Sequence, residues 1–127
     1  MNDISITSTI KTYPKITAYH KIKDAILGKQ YDLSLVFVGP TRAASLNQKY
    51  RNKSYTPNIL SFPLTRHSGE IIICPLVANR ESKNFNLSPR GYIAFLFIHG
   101  CLHLKGHDHG DTMEKLEHKY CKAFNIT

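Results

Sequence analysis

This 127-residue sequence has few cysteines and no long apolar run. Its three cysteines, Cys74, Cys101 and Cys121, form no C-x-x-C pair, and their odd number argues against a disulfide framework. No stretch approaches the roughly 20 apolar residues that cross a bilayer, and the first residues lack the pattern of a secretory signal. We therefore expect a cytoplasmic protein with no membrane partner, in which the thiols are small buried hydrophobic groups.

Acidic residues are also missing from one region: none occurs between Leu33 and Gly69, although basic residues do. The basic residues there are Arg42, Lys49, Arg51, Lys53 and Arg66. The net charge is +8, and residues 91–127 add nothing to it because they hold four basic and four acidic residues. A positive field of this kind attracts polyanions, with phosphate backbones first. The alternative is a solvated basic face that only keeps the protein soluble.

The rest of the composition indicates one folded domain over residues 1–127. Hydrophobic residues make up 42% and charged residues 20%, and no repeat or linker-like run interrupts the chain. The spacing of apolar residues and turn signals predicts both helices and strands. Helices are expected over 16–27, 40–50, 75–84, 89–105 and 111–124, and strands over 33–39, 58–64 and 69–75. Because these elements do not alternate strictly, the sequence predicts the α+β class.

The fourth predicted helix is the most distinctive. Ser88 and Pro89 suit its N-cap and first turn, and Gly106 suits its end. Apolar residues surround nearly the whole helix, which is typical of a helix buried in a core. After it, Asp111 with Glu114 three residues later resembles a capping arrangement for the last helix.

The stretch HGCLHLKGHDH, residues 99–109, closes this helix and holds four of the seven histidines. His99 and His103 are four residues apart, so their Cβ atoms lie on one helix face about 6 Å from each other. His109 follows Gly106, where the chain can reverse and bring a third imidazole to the same point. Three histidines with one open position are typical of a catalytic zinc site.

Several other interpretations stay open at this point. Cys101 is excluded as a fourth ligand, because it falls on another side of the helix from the three histidines. The histidines could be core residues satisfied by hydrogen bonds, or could hold a metal that only stabilises the fold. His107 could replace His109 as a ligand, and Asp108 could either orient a ligand imidazole or cap the turn. Three isolated histidines are expected at the surface: His20, His67 and His118.

The spacing H-x-x-x-H-x-x-G-x-x-H is also that of the metzincin proteases. Those proteases carry glutamate directly after the first histidine as the general base, and here that residue is Gly100. We therefore interpret the ligand set as that of a metal hydrolase whose substrate is not a peptide.

At these residues the sequence resembles the YbeY endoribonucleases, which are bacterial ribosomal RNA maturation factors. HGCLHLKGHDH matches their H-G-x-L-H-L-x-G-Y-D-H signature except at His107, where the family has tyrosine. LNQKYRNKSYTPNILSFP, residues 46–63, looks like the family's L-N-x-x-Y-R stretch and T-[DN]-V-L-S-F-P strand, and GEIIIC, residues 69–74, is similar to its G-D-I-x-I strand. Pro57 and Glu70 depart from the usual threonine and aspartate, and the acidic segment after the last histidine is shortened to GDTMEKLE.

The resemblance implies a mixed β-sheet packed with helices and a metal site at the C-terminal end of the central buried helix. It implies one zinc ion per chain, held by His99, His103 and His109, and it places Arg51 where the family has a functional arginine. The implied activity is metal-dependent, single-strand-specific cleavage of RNA, in processing of the 3′ end of small-subunit ribosomal RNA and in ribosome quality control. The implied partners are precursor ribosomal RNA and the ribosome or its small subunit, with no DNA expected.

The chemistry of the residues agrees with that activity. A cation on three histidines would polarise a phosphoryl oxygen, and Arg51 offers a planar fork of donors for the charge that develops on a phosphate. Lys49 and Lys53 could assist it, and Asn47 and Ser61 are weaker candidates for positioning roles. From the residues alone, Arg51 could also be a surface arginine at a helix end.

Two alternative functions and two alternative metals remain open. A metzincin-like metalloprotease shares the ligand spacing, and a non-catalytic ribosome-assembly factor that merely holds zinc would explain the charge equally well. Three histidines suit Zn, Ni or Cu, so the sequence does not fix the metal.

Overall fold

A mixed β-sheet forms the centre of the fold. The computed structural model describes residues 4–16 and 18–127. Within these ranges the strands are β1 (Ile4–Ser8), β2 (Asp32–Phe37), β3 (Ile59–Thr65) and β4 (Ser68–Ile73). Their order in the sheet is β1-β2-β4-β3. The first three strands in that order are parallel, and β3 runs antiparallel to β4 at the edge.

Helices cover both faces of this sheet, which confirms the predicted α+β class. In the described part of the chain they are α1 (Tyr19–Leu27), α2 (Pro40–Arg51), α3 (Pro75–Glu81), α4 (Pro89–Lys105) and α5 (Asp111–Ala123). A 3₁₀ turn, Ser82–Phe85, continues α3. No helix within these ranges has the length and apolar character needed to cross a bilayer.

The two faces of the sheet bury different sets of apolar residues. Alternate side chains of β2 and β4, such as Leu35 and Ile71, enter the main core with Phe97 and Leu102 of α4. The opposite face carries a smaller cluster in which Ile72 packs with residues of α2. Strand alternation therefore places α4 and α2 on opposite sides of one sheet.

Helix α4 is the buried central helix that its sequence predicts. The Ser88 side chain accepts a hydrogen bond from the Gly91 N–H and caps the first turn. At the other end Gly106 adopts a φ of 113°, a left-handed conformation that glycine takes without strain. The Gly106 N–H donates to the His103 carbonyl over 3.0 Å, and the His107 N–H donates to the Leu102 carbonyl over 3.0 Å. The chain therefore reverses directly after the second candidate ligand.

Two features at the ends of the fold differ from the sequence prediction. Strand β1 was not predicted because its central residues are exposed and its pairing is with a distant segment, Ile4 lying opposite Leu33. The capping arrangement predicted for Asp111 and Glu114 is wrong: the N-cap of α5 is Gly110, and no side chain caps that end. Both carboxylates instead lie in the first turn, where the helix dipole favours negative charge.

The cysteines are free thiols in the described structure. Cys74 and Cys101 are buried, as predicted, whereas Cys121 is half-buried. Burial raises the pKa of the Cys101 thiol, and it raises the pKa of Cys121 to about 11. Both thiols are therefore protonated and unreactive near neutral pH.

Candidate metal centre

The end of α4 and the loop after it bring three imidazoles to one point. The ring centroids of His99 and His103 are 4.6 Å apart, and the centroid of His109 lies 5.1 Å from the first and 4.9 Å from the second. One nitrogen from each ring lies within 4.8 Å of the other two, so the group can hold a metal ion. The convergence follows the predicted geometry, with two ligands on one helix face and the third returned by the turn at Gly106.

Two of these rings are oriented by hydrogen bonds from their Nδ1 atoms. Nδ1 of His99 donates to Oε2 of Glu117 over 2.5 Å, and Nδ1 of His103 donates to the backbone carbonyl of His107 over 3.0 Å. A carboxylate and a carbonyl only accept, so both rings carry their hydrogens on Nδ1. In the neutral rings the Nε2 atoms then present the lone pairs that a metal requires.

The resulting arrangement of lone pairs fits a cation. Nε2 of His99 and Nε2 of His103 face each other at 3.1 Å. Tetrahedral zinc with ordinary bond lengths places two ligand nitrogens about 3.3 Å apart, which is close to this separation. Burial lowers the pKa of His103, and the neighbouring His99 and His109 lower it further, so its neutral form is favoured. The donor set therefore fits a metal ion such as zinc.

Helix α5 supplies a residue that the sequence analysis did not identify. Glu117 is largely buried and lies 18 positions after His99, across the turn between α4 and α5. The available signal was its place on the apolar side of α5, four residues after the buried Met113. A carboxylate on a buried face requires a partner, and here the partner is a candidate metal ligand.

The histidines and Arg51 line a common cleft of about 440 Å³. Its other lining residues come from the loop after α2 and from edge strand β3: Tyr55, Asn58, Ile59, Leu60 and Ser61. The cleft lies where the C-terminal ends of α2 and α4 meet around that strand. A cation site and an exposed guanidinium therefore face one space, although they belong to opposite sides of the sheet.

A buried asparagine anchors the arginine side of the cleft. Nη1 of Arg51 donates to Oδ1 of Asn47 over 3.3 Å and to the hydroxyl oxygen of Tyr55 over 3.1 Å. Nδ2 of Asn47 donates to the backbone carbonyl of Tyr55 over 2.9 Å. Asn47 is fully buried, so one amide fixes both the guanidinium and the loop that follows it.

The remaining predicted site residues have different positions. Ser61 lines the cleft, whereas Lys49 and Lys53 are exposed and are not among the described residues that line it. His107 contributes its carbonyl, and its ring is outside the ligand group formed by the described residues. Asp108 is exposed, and other groups hold the Nδ1 atoms of His99 and His103. The three isolated histidines are exposed as predicted: His20, His67 and His118.

Gly100 lies at a close contact between α4 and the sheet. A Cβ atom at this position would meet the Cδ1 atoms of Ile59 and Ile71, each at 3.0 Å. A glutamate side chain directly after His99 would therefore require the Ile59 and Ile71 side chains to shift. The position that carries the general base in metzincin proteases here packs closely against two isoleucine side chains of the sheet.

The chain matches known proteins over nearly its whole length. The sequence profile of the family described as Endoribonuclease YbeY matches residues 2–125. A Mesoplasma florum protein named Endoribonuclease YbeY is 38% identical over 78% of this chain and 62% of its own length, so this chain spans less than two thirds of that relative. A Finegoldia magna protein of the same name is 33% identical, with 90% of this chain and 76% of that protein covered. A solution structure of a Thermotoga maritima protein is 25% identical with a TM-score of 0.69, covering 96% of this chain and 91% of that one.

Proposed function

This chain belongs to the YbeY family of endoribonucleases, and from that premise we propose that residues 1–127 form a single-domain, metal-dependent endoribonuclease specific for single-stranded RNA. The observation that carries the proposal is the shared cleft, in which His99, His103 and His109 face the same space as Arg51. Metal-dependent RNA cleavage uses a metal ion that polarises the reacting phosphate, and a cationic side chain that stabilises the negative charge developing on it. This cleft offers a site for each.

The proposed metal is zinc, one ion per chain, on the three histidines. When bound, it would supply Lewis acidity to a phosphoryl oxygen and lower the pKa of a coordinated water. Glu117 and the His107 carbonyl accept from Nδ1 of His99 and His103, which fixes the tautomer in which Nε2 of each neutral ring is the ligand atom. The protein therefore holds the imidazoles of His99 and His103 in one tautomer and one orientation.

Arg51 is proposed to bind the scissile phosphate. Its guanidinium is exposed to the cleft, and only one of its terminal nitrogens, Nη1, makes the hydrogen bonds to Asn47 and Tyr55. The other edge of the planar fork is therefore available for two parallel hydrogen bonds to phosphate oxygens. Asn47 limits the rotation of the side chain, so less conformational freedom is lost when the phosphate binds.

The proposed substrate is precursor ribosomal RNA, at the 3′ end of the small-subunit RNA, on the ribosome or its small subunit and with a part in ribosome quality control. Support comes from the exposed basic residues of a region that holds no acidic residue, 33–69: Arg42, Lys49, Lys53 and Arg66. A surface of this charge favours the phosphate backbone, and no DNA substrate is expected. Three free thiols, two of them buried, fit the reducing cytoplasm, where this RNA is processed.

The test is cleavage of a ribosomal RNA precursor by zinc-loaded and metal-stripped protein in parallel. We expect the loaded protein to cut single-stranded segments, the stripped protein to cut nothing, and added zinc to restore cutting. A duplex of the same sequence is the control substrate. Equal cutting by both preparations would contradict metal dependence. Firm RNA binding without any chelator-sensitive cutting would instead identify a non-catalytic assembly factor.

A further inference from the structure

Tyr55 lies in the metal cleft although the proposed cleavage chemistry gives it no task. Its side chain is 53% exposed, an unusual position for a large ring in a folded domain. It belongs to the loop between α2 and β3, where the residues from Asn52 to Thr56 are all exposed. An exposed aromatic face beside a phosphate-binding arginine is the arrangement that proteins use for unpaired bases.

The ring is held in place from both ends. The backbone carbonyl of Tyr55 accepts from Asn47, and its hydroxyl oxygen accepts from Arg51. Asn52, with a left-handed φ of 55°, ends α2 and turns the chain into this loop. The Tyr55 ring is therefore positioned before any ligand arrives, and little side-chain freedom is lost on binding.

We propose that Tyr55 is a stacking platform for a nucleobase of the RNA strand, next to the phosphate that Arg51 binds. The proposal rests on the function proposed above and adds a base-binding subsite to it. Stacking on an aromatic ring tolerates any base, because every base has a π-face. A base in a duplex is already stacked and paired, so this subsite also favours single strands over duplexes.

Tyr50 provides a matched control. It is 58% exposed and precedes Arg51 directly in α2, so its residue type and exposure are those of Tyr55. However, its ring lies 5.5 Å from that of Phe62 and lines a different cleft, one that the three histidines do not enter. Loss of the Tyr50 ring therefore tests the general effect of removing an exposed aromatic side chain from this region.

The first experiment measures binding of a fluorescent single-stranded oligoribonucleotide to metal-stripped protein, in which no cleavage interferes. We expect Tyr55→Ala to weaken binding roughly tenfold, and Tyr55→Phe and Tyr50→Ala to bind within about twofold of the wild type. Unchanged binding by Tyr55→Ala would overturn the proposal. It would equally be overturned if Tyr55→Phe lost as much affinity as Tyr55→Ala, since Tyr55 would then act only by holding Arg51 through its hydroxyl.

The second experiment uses zinc-loaded protein and a set of RNA substrates in which one abasic nucleotide is moved along the strand. For the wild type we expect slower cleavage when the abasic nucleotide adjoins the cleaved phosphate. Tyr55→Ala, which has already lost the stacking contact, should cleave this abasic substrate as fast as it cleaves the intact strand. Wild-type cleavage that is insensitive to every abasic position would remove the subsite and leave the endoribonuclease function standing. Wild-type protein that cuts no RNA would instead overturn the function on which the subsite rests.

Discussion

The two sides of the cleft are built in different ways. The histidine side comes from a short stretch of sequence. Two of its rings, His99 and His103, are fixed by hydrogen bonds to a carboxylate of α5 and to a carbonyl of the turn. The arginine side is assembled around one buried amide, Asn47, and its functional groups remain exposed. The comparison indicates that the rigid side suits a small ion of fixed geometry, whereas the open side suits a long polyanion.

The largest expected effect comes from removing a ligand on the rigid side. In His103→Ala we expect bound zinc to fall from about one ion per chain to almost none and cleavage to disappear, because two imidazoles cannot retain the ion. Elemental analysis of purified protein measures the metal content. His107→Ala is the matched control, since it removes a neighbouring imidazole but keeps the carbonyl that orients His103. Loss of zinc in both variants would place His107 among the ligands, and loss in His107→Ala alone would remove His103 from them.

The next effect separates the two sides. In Arg51→Ala we expect the cleavage rate to fall about 100- to 1,000-fold, the loss typical of removing a donor to developing charge. Zinc content and melting temperature should stay near wild type because the side chain is exposed. Single-turnover cleavage is the measurement, and Arg66→Ala, also exposed but outside the lining of the cleft, is the control. Wild-type rates in Arg51→Ala would exclude this residue from the mechanism.

A smaller effect is expected from the support of the rigid side. Glu117→Gln replaces the anionic partner of His99, and we expect zinc affinity to fall roughly 10- to 100-fold. Cleavage should recover at high zinc concentration, since the ligand nitrogens themselves are unchanged. Competition with a zinc-binding dye measures the affinity. Glu114→Gln, an exposed carboxylate on the same helix, should bind zinc as the wild type does, and an equal loss in both variants would make the effect one of overall charge.

The smallest effect on catalysis is expected from removing Asn47, the buried residue that positions Arg51 on the open side. Asn47→Ala frees the Arg51 side chain, and we expect cleavage to slow about tenfold while zinc affinity stays unchanged. The unpaired Tyr55 carbonyl should also cost roughly 1–3 kcal/mol of unfolding free energy. Asn47→Asp retains an acceptor for Arg51 but not the donor to the Tyr55 carbonyl. Compared with Asn47→Ala, it should therefore restore more of the cleavage rate than of the unfolding free energy. Reduced zinc binding in either variant would show that the two sides are coupled.

Local patterns predicted most of the elements and the convergence of the histidines. Helix α4 and its termination at Gly106 follow from side-chain periodicity and glycine conformation, which depend on residues close in sequence. A spacing of four residues on that helix places His99 beside His103 whatever the rest of the fold does. This part of the site could therefore be deduced without knowing the order of the strands.

Contacts between distant segments could not be predicted in the same way. Strand β1 exists because it pairs with β2, and neither its short length nor its exposed centre signals that pairing. Glu117 reaches His99 only after the chain has turned between two helices, and Tyr55 reaches Arg51 only through a loop anchored by Asn47. The sequence motifs pointed to Arg51 and Asn47 as candidates, but their hydrogen bond is a property of the folded loop.

The close contact at Gly100 limits how this metal site could change during evolution. Many metal sites could in principle acquire peptidase activity by gaining one carboxylate beside the ligands. Here a side chain at this position would first have to displace the ends of the Ile59 and Ile71 side chains, so one codon change would strain the helix–sheet interface as it introduced a base. A base at this position would therefore require smaller side chains on the two strands, or a helix farther from the sheet, before it could be added without strain.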